Sequence, residues 1–139
     1  LALYRDVLGF TVNYNIPTEM TGKAIPAGGA GDKARFALLS TNEGWTGMIG
    51  LLQWTDPELA DPGPYPTRMS PGDIVLVMNT DRIEERCAQV ASLPGVTMNA
   101  EAHLQVFGSR NGTGDIRVMG CTFFDPDGNL IEINQILDN

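Results

Sequence analysis

The chain has one histidine, two cysteines, few basic residues and no apolar run close to the roughly 20 residues that a membrane helix needs. Each shortage excludes something. Nine Lys and Arg against 17 Asp and Glu leave a net charge of −8, which argues against binding a phosphate backbone. Nucleic acid and membrane are therefore not expected partners. Cys87 falls in a helical pattern and Cys121 in a strand pattern. Two cysteines in 139 residues do not make a disulfide framework, so both read as buried and reduced. The histidine, His103, sits in Glu101-Ala102-His103-Leu104-Gln105, within a stretch (101–115) that reads as irregular. A lone histidine there is more often a surface or packing residue than a ligand or base, although loops at cavity mouths also carry function. No signal peptide is visible and the sequence opens at Leu1 inside a helical pattern. The expectation is a cytoplasmic chain that lacks an N-terminal segment. A hydrophobic content of 42% in 139 residues is enough for one domain with a real core.

What is present is a turn of unusual density. Asp125-Pro126-Asp127-Gly128-Asn129 joins two apolar runs, 116–124 and 130–136. Proline presets φ and glycine takes positive φ without a steric cost, so the segment reads as the turn of a β-hairpin. The return strand carries Glu132 among Ile131, Ile133 and Ile136. A carboxylate in such company needs a partner, a metal or a wet cavity, because burying it alone is costly. Glu132 is thus the first candidate site residue. The alternative is a salt-bridged glutamate on an exposed sheet face.

The chain also repeats itself once. Shifting residues 34–53 by 82 positions lays them on 116–135 without a gap: Arg35 meets Arg117, Leu51 meets Ile133, Gly50 meets Glu132 and Gln53 meets Gln135. The same offset lays Leu1 on Ile83. Both open amphipathic helical patterns, the first with Leu1, Tyr4, Val7 and Leu8 on one face, the second with Ile83, Cys87, Val90 and Ala91. Asp81 followed by Glu84 suggests a capping box for the second. Strands are expected over 11–16, 34–40 and 48–54, then over 73–79, 96–100, 116–124 and 130–136. The stretch 55–72, with Pro57, Pro62, Pro64, Pro66 and Pro71, reads as a linker. Gly28-Gly29-Ala30-Gly31 lies in a further loop (17–33) without the Lys-Ser/Thr of a phosphate cradle, and reads as a loop with or without a place at a site mouth.

Two such units, with Leu3-Tyr4-Arg5-Asp6-Val7-Leu8-Gly9-Phe10 early and Phe124-Asp125-Pro126-Asp127-Gly128-Asn129-Leu130-Ile131-Glu132 late, closely resemble the vicinal oxygen chelate superfamily. This group includes glyoxalase I, bleomycin-resistance proteins and extradiol dioxygenases. The resemblance spans nearly the whole chain. It implies an α+β fold: two βαβββ modules forming a curled half-open barrel, with the first strand missing from this chain. Module one would cover 1–54, the linker 55–72 and module two 73–139, together a single domain. It also implies a small-molecule ligand, a homodimer and, in enzymatic members, one divalent metal held by His, Glu or Gln side chains. Such an ion acts as a Lewis acid on a developing oxyanion.

Carried over residue by residue, Glu132 matches the acidic ligand of the last strand, as metal ligand and catalytic residue. Asp73 stands where a histidine ligand is often found and is the second candidate metal ligand, a departure from the family pattern. Gly50 supplies no side chain, and the fourth position would precede Leu1. Two readings follow. One is a metal-dependent lyase, isomerase or dioxygenase whose ligand set is completed elsewhere. The other is a metal-free protein that sequesters an aromatic or hydrophobic small molecule, as bleomycin-resistance proteins do. Strand alternation lines the pocket with Met48, Gly50, Leu52 and Trp54, with Asn134 and Leu130 beside Glu132, and with Val75 and Val77 beside Asp73. Gly50 would leave room at its centre. Arg35 and Arg117 would clamp an anionic ligand or pair with surface acids, and Trp45, Trp54 and Tyr65 would stack on a ligand or simply lie at the surface.

Overall fold

A computed structural model describes residues 1–23, 25, 28–41, 47–61, 63–108 and 114–137. The elements run as a short π-type helix (Ala2–Val7), β1 (Thr11–Glu19), β2 (Lys33–Ser40), β3 (Ile49–Asp56), β4 (Val75–Asn79), α1 (Ile83–Ala91), β5 (Thr97–Gly108), β6 (Asp115–Phe124) and β7 (Leu130–Leu137). They form two compact units, Leu1–Gly63 and Pro64–Asn139, whose boundary falls inside the proline-rich 55–72 stretch. Trp45 lies outside the described residues.

In the first unit an antiparallel sheet has the order β1-β2-β3. β1 runs on to Glu19, through Pro17, which pairs with Arg35. A proline is tolerated there because β1 is an edge strand and needs no donor on its outer side. The opening helix is shorter and wider than its pattern suggests. Leu8 donates to the Leu3 carbonyl at 2.9 Å and Phe10 to the Tyr4 carbonyl at 2.9 Å, both reaching further back than an α-helix does. This winding buries Leu3, Tyr4 and Val7 and leaves Leu1 exposed. Tyr4 stacks edge-on against Phe10 at 6.0 Å.

The second unit has the full β-α-β-β-β order, and its sheet runs β4-β7-β6-β5. β4 pairs with β7 in parallel; the other pairs are antiparallel. α1 packs on one face, across β5, β6 and β7. Ile83, Cys87 and Val90 recur at helical spacing on its buried side, and Cys121, Phe123, Ile131 and Ile133 bury the matching side of the sheet. Each large side chain buried this completely contributes about 1.5–3 kcal/mol. Asp81 provides no side-chain cap: the first residue outside the helix is Arg82, and the Ile83 amide donates instead to Gln135 Oε1 of β7 at 3.1 Å. The helix start is therefore capped by the sheet it covers, and that capping fixes its position along β7.

Two sequence expectations change here. β5 is twelve residues long and takes in most of the stretch read as irregular. Its polar residues, with two register shifts near Ala100, hide the strand period. The cysteines are not reduced thiols: the sulfur atoms of Cys87 and Cys121 are joined, with Cα atoms 6.5 Å apart, and the disulfide ties α1 to β6. Both residues are buried, as expected. Closing a loop between positions 34 apart is worth about 3–4 kcal/mol in the chain-entropy account. The unfolded but unreduced protein should accordingly show no reactive thiol, and two after reduction. A Cys87→Ser, Cys121→Ser double variant should lose about 2–4 kcal/mol in denaturant titration. Two titratable thiols before reduction, or an unchanged midpoint, would refute the cross-link.

Candidate functional site

The β6–β7 turn is built around one carboxylate. Asp125, 3% exposed, accepts at Oδ1 from the Asp127 amide (3.0 Å), the Asn129 amide (2.8 Å) and Asn129 Nδ2 (3.1 Å), and at Oδ2 from Asn129 Nδ2 (3.0 Å). The backbone closes the same loop, with Gly128 N donating to Asp125 O at 3.0 Å and Asp125 N to Asn129 O at 3.0 Å. Gly128 adopts φ +82°, and an added Cβ would press on Tyr65 Cβ at 3.0 Å and Pro66 Cδ at 3.1 Å. Tyr65 therefore seals the turn. Hydrogen bonds to a charged acceptor contribute about 1.5–3 kcal/mol each. Asp125→Ala should destabilise the protein by about 3 kcal/mol in thermal or chemical unfolding, since it also leaves buried donors unpaired. An effect below about 0.5 kcal/mol, the usual size for a plain surface change, would show that the turn does not depend on this carboxylate.

From this turn the register carries Glu132 to a position between Thr122 on β6 and Val77 on β4, and Asn134 between Gly120 and Asn79. Residues paired across strands share a face. Glu132, Asn134, Thr122, Gly120 and Val77 therefore stand on the face that α1 leaves open. Glu132 is half-buried, and its Oε1 accepts from Asn134 Nδ2 at 2.7 Å. Thr122 Oγ1 accepts from Asn99 Nδ2 at 2.9 Å. On β5, His103 pairs with Gly120 and Gln105 with Val118, so both side chains join this face. His103 Nδ1 meets the Glu101 carbonyl at 2.9 Å, and Gln105 Nε2 meets His103 Nε2 at 3.3 Å. A band of hydrogen-bonding side chains thus crosses β7, β6 and β5. Apolar surface borders it: Val77, Ile136 and Phe107 are 61%, 63% and 51% exposed.

The other sequence candidates are placed as follows. Asp73 does not meet Glu132. It precedes β4, and the β4 residue beside Glu132 is Val77, four positions on, or roughly 13 Å along a strand. Its Oδ2 instead accepts from the Ser70 amide at 2.6 Å. There it helps line a pocket of about 190 Å³ with Met69, Ile74, Phe124 and Asn129. Gly50, Leu52 and Trp54 share one face of β3 in the first unit, and Met48, just before that strand, is 48% exposed. Gly50 does not leave room: a Cβ there would lie 2.9 Å from Phe36 Cε2, so the Phe36 ring occupies the space. Trp54 is no free platform either. Gly28 of the glycine-rich loop packs against its indole edge, and the buried Nε1 has no hydrogen-bond partner among the described residues. Arg35 and Arg117 alternate with the site faces of their strands. Arg35 donates to Asn15 Oδ1 at 2.8 Å.

The internal copy is also not gapless. Leu38 pairs with Gly50, but Gly120, its copy at 82 residues, pairs with Asn134 and not with Glu132. With β2 laid on β6, Gly50 matches Asn134 and Met48 matches Glu132. The two hairpins differ by two residues, which keeps every side chain on its face while shifting its neighbours.

Sequence reasoning missed His103 and Gln105 as members of this face. The alternation of His103, Gln105 and Phe107 was the available signal, and the assignment of 101–115 to irregular structure concealed it.

The sequence model of the Glyoxalase/Bleomycin resistance protein/Dioxygenase superfamily matches residues 1–133. The chain belongs to that superfamily. No curated protein matches it. Among solved structures it is similar to a glyoxalase family protein from Bacillus cereus, with a TM-score of 0.70 at 18% identity over 96% of this chain and 82% of that one. A virulence protein from Salmonella typhimurium matches at 25% identity over 98% of this chain and 84% of that one, with a TM-score of 0.48. The likeness to the first shows the α+β fold expected from the sequence. No helix among the described residues is long and apolar enough to cross a membrane.

Proposed function

We propose that the open face of the four-stranded sheet binds a small molecule with an apolar or aromatic body, and that the chain works as a metal-free binding member of its superfamily. The observation that carries this is the engagement of Glu132. Its Oε1 accepts from Asn134 Nδ2, and its cross-strand neighbours are a valine and a threonine. A divalent ion held by protein usually needs three or four ligands, or fewer with several waters. Among the described residues no three His, Cys, Asp or Glu side chains gather at one point, and Asp73 is turned to its own loop. That sparse set of acidic and histidine donors supports the metal-free reading over the single divalent ion that the resemblance implies. A mostly apolar surface with a few convergent polar groups is instead the usual make-up of a small-molecule site.

Elemental analysis after exhaustive dialysis, beside an aromatic fragment screen, tests this. The expected result is no retained divalent metal, saturable binding of aromatic fragments, and backbone amide shifts on β4 and β7. Glu132→Ala should weaken that binding about tenfold, the equivalent of about 1.4 kcal/mol, by releasing Asn134. A stoichiometric divalent ion that is lost in Glu132→Ala would overturn the proposal and direct work to lyase, isomerase or dioxygenase chemistry. Of the homodimer and the cytoplasmic location read from the sequence, only the first belongs to the same proposal. Size-exclusion with light scattering tests the first. The Cys87–Cys121 disulfide weighs against the second, because disulfides are rare where thiols are kept reduced.

A further inference from the structure

We infer that Gly120, Gln105 and Asn134 form a subsite that reads a ligand hydroxyl, resting on the small-molecule role proposed for this face. The argument starts from a missing side chain. A Cβ on Gly120 would lie 2.8 Å from Asn134 Oδ1 and 2.8 Å from Gln105 Nε2. That is too close for carbon, so the two amides already use the space that any other residue would fill. Both lie within hydrogen-bond range of one point, so they stand no more than twice that distance apart. Asn134 Oδ1 is closed to solvent in the unliganded face, so a single oxygen that bonds to both amides enters as the Asn134 amide swings outward, with two ordinary hydrogen bonds.

The polarity of the gap follows from the neighbours. A carboxylate oxygen only accepts, so the Asn134 atom facing Glu132 Oε1 at 2.7 Å is Nδ2, and Oδ1 turns to Gly120. Oδ1 is buried and has no hydrogen-bond partner among the described residues. The Glu101 carbonyl likewise only accepts, so His103 carries its proton on Nδ1 and offers a lone pair at Nε2. Gln105 Nε2 donates one hydrogen to that lone pair, at 3.3 Å, and keeps its second hydrogen for the gap. The subsite thus presents one donor and one unsatisfied acceptor. A hydroxyl accepts from the first and donates to the second. A carboxylate would meet the Asn134 oxygen with its own lone pairs, and a hydrocarbon would leave both groups unpaired at a cost. Phe107 and Ile136, exposed on the same face, suit an apolar body attached to that hydroxyl. The ligand class is a neutral, hydroxyl-bearing apolar molecule.

Phenol and toluene differ by this one group and serve as the probes. Each is titrated at equal concentrations into ¹⁵N-labelled full-length protein. The signals followed are the backbone amides and the side-chain NH₂ groups of Gln105 and Asn134. The expected result is that phenol moves both NH₂ pairs and that toluene moves only backbone amides. Gly120→Ala should abolish the phenol response at Asn134. Gln105→Leu, which keeps bulk and removes the donor, should do the same and decides the matter if the alanine variant does not fold. Gly120 has no left-handed φ, so alanine itself adds no backbone strain. Equal backbone shifts from the two probes, with both NH₂ pairs still, would overturn the subsite and leave the binding role standing. Retention of the phenol response in Gln105→Leu would also overturn it. No shift on this face from either probe would remove the subsite and the binding role together.

Discussion

The Asp125 carboxylate is the constraint from which the rest of the second unit follows. It gathers two backbone amides and the Asn129 side chain into one turn, and it does so from a position that is almost fully buried. A turn held this way has one length. That length decides which β7 residue stands opposite which β6 residue, and a slip of one would turn Glu132 to the helix side. With the register fixed, Asn134 faces Gly120 and Glu132 faces Thr122. The polar band on the open face is therefore a consequence of turn chemistry at the end of the sheet. The turn carboxylate itself is not a site residue.

The opposite face of the sheet works differently. There the fixed quantities are apolar and covalent: Phe123, Ile131 and Ile133 against α1, with the Cys87–Cys121 link in the middle. Gln135 completes the arrangement by capping the helix from β7. Alternation along β7 thus gives two roles to consecutive residues. Ile131, Ile133 and Gln135 hold the helix, while Glu132 and Asn134 stand free of it. The division allows the open face to carry a polar atom with no partner among the described residues, Asn134 Oδ1, without loosening the core. Unsatisfied groups of this kind cost free energy, a cost that the proposed binding role would offset.

The degree to which this was legible in the sequence differs by residue, for physical reasons. The Asp-Pro-Asp-Gly-Asn turn and the alternation after it are strong local signals, and they placed Glu132, Asn134, Val75 and Val77 on their strands. Asp73 lies ahead of β4 because the strand starts two residues later than its apolar pattern suggests, so Val77 and not Asp73 stands beside Glu132. Gly50 was read as empty space because a sequence cannot show that the Phe36 ring leans over it. His103 and Gln105 were lost when a long polar strand with two bulges was read as a loop. The cysteine pairing lay beyond reach altogether, since helical and strand patterns 34 positions apart carry no information about the distance between their sulfur atoms.

A comparison of the two units shows why the hydrogen-bonding side chains gather in the second. In the first, the face that carries Gly50 is packed with its own aromatic and aliphatic groups: Phe36 over the glycine and Tyr14 edge-on to Phe36 at 5.5 Å. In the second, the equivalent point, by strand pairing, holds Asn134 against a glycine on the neighbouring strand. The glycine has moved from β3 to β6, and an amide has taken its former place. One arrangement closes the surface with a ring, while the other leaves a polar gap between two amides. A two-residue difference in hairpin length and one exchanged glycine thus separate a packed apolar face from one that carries a band of hydrogen-bonding side chains.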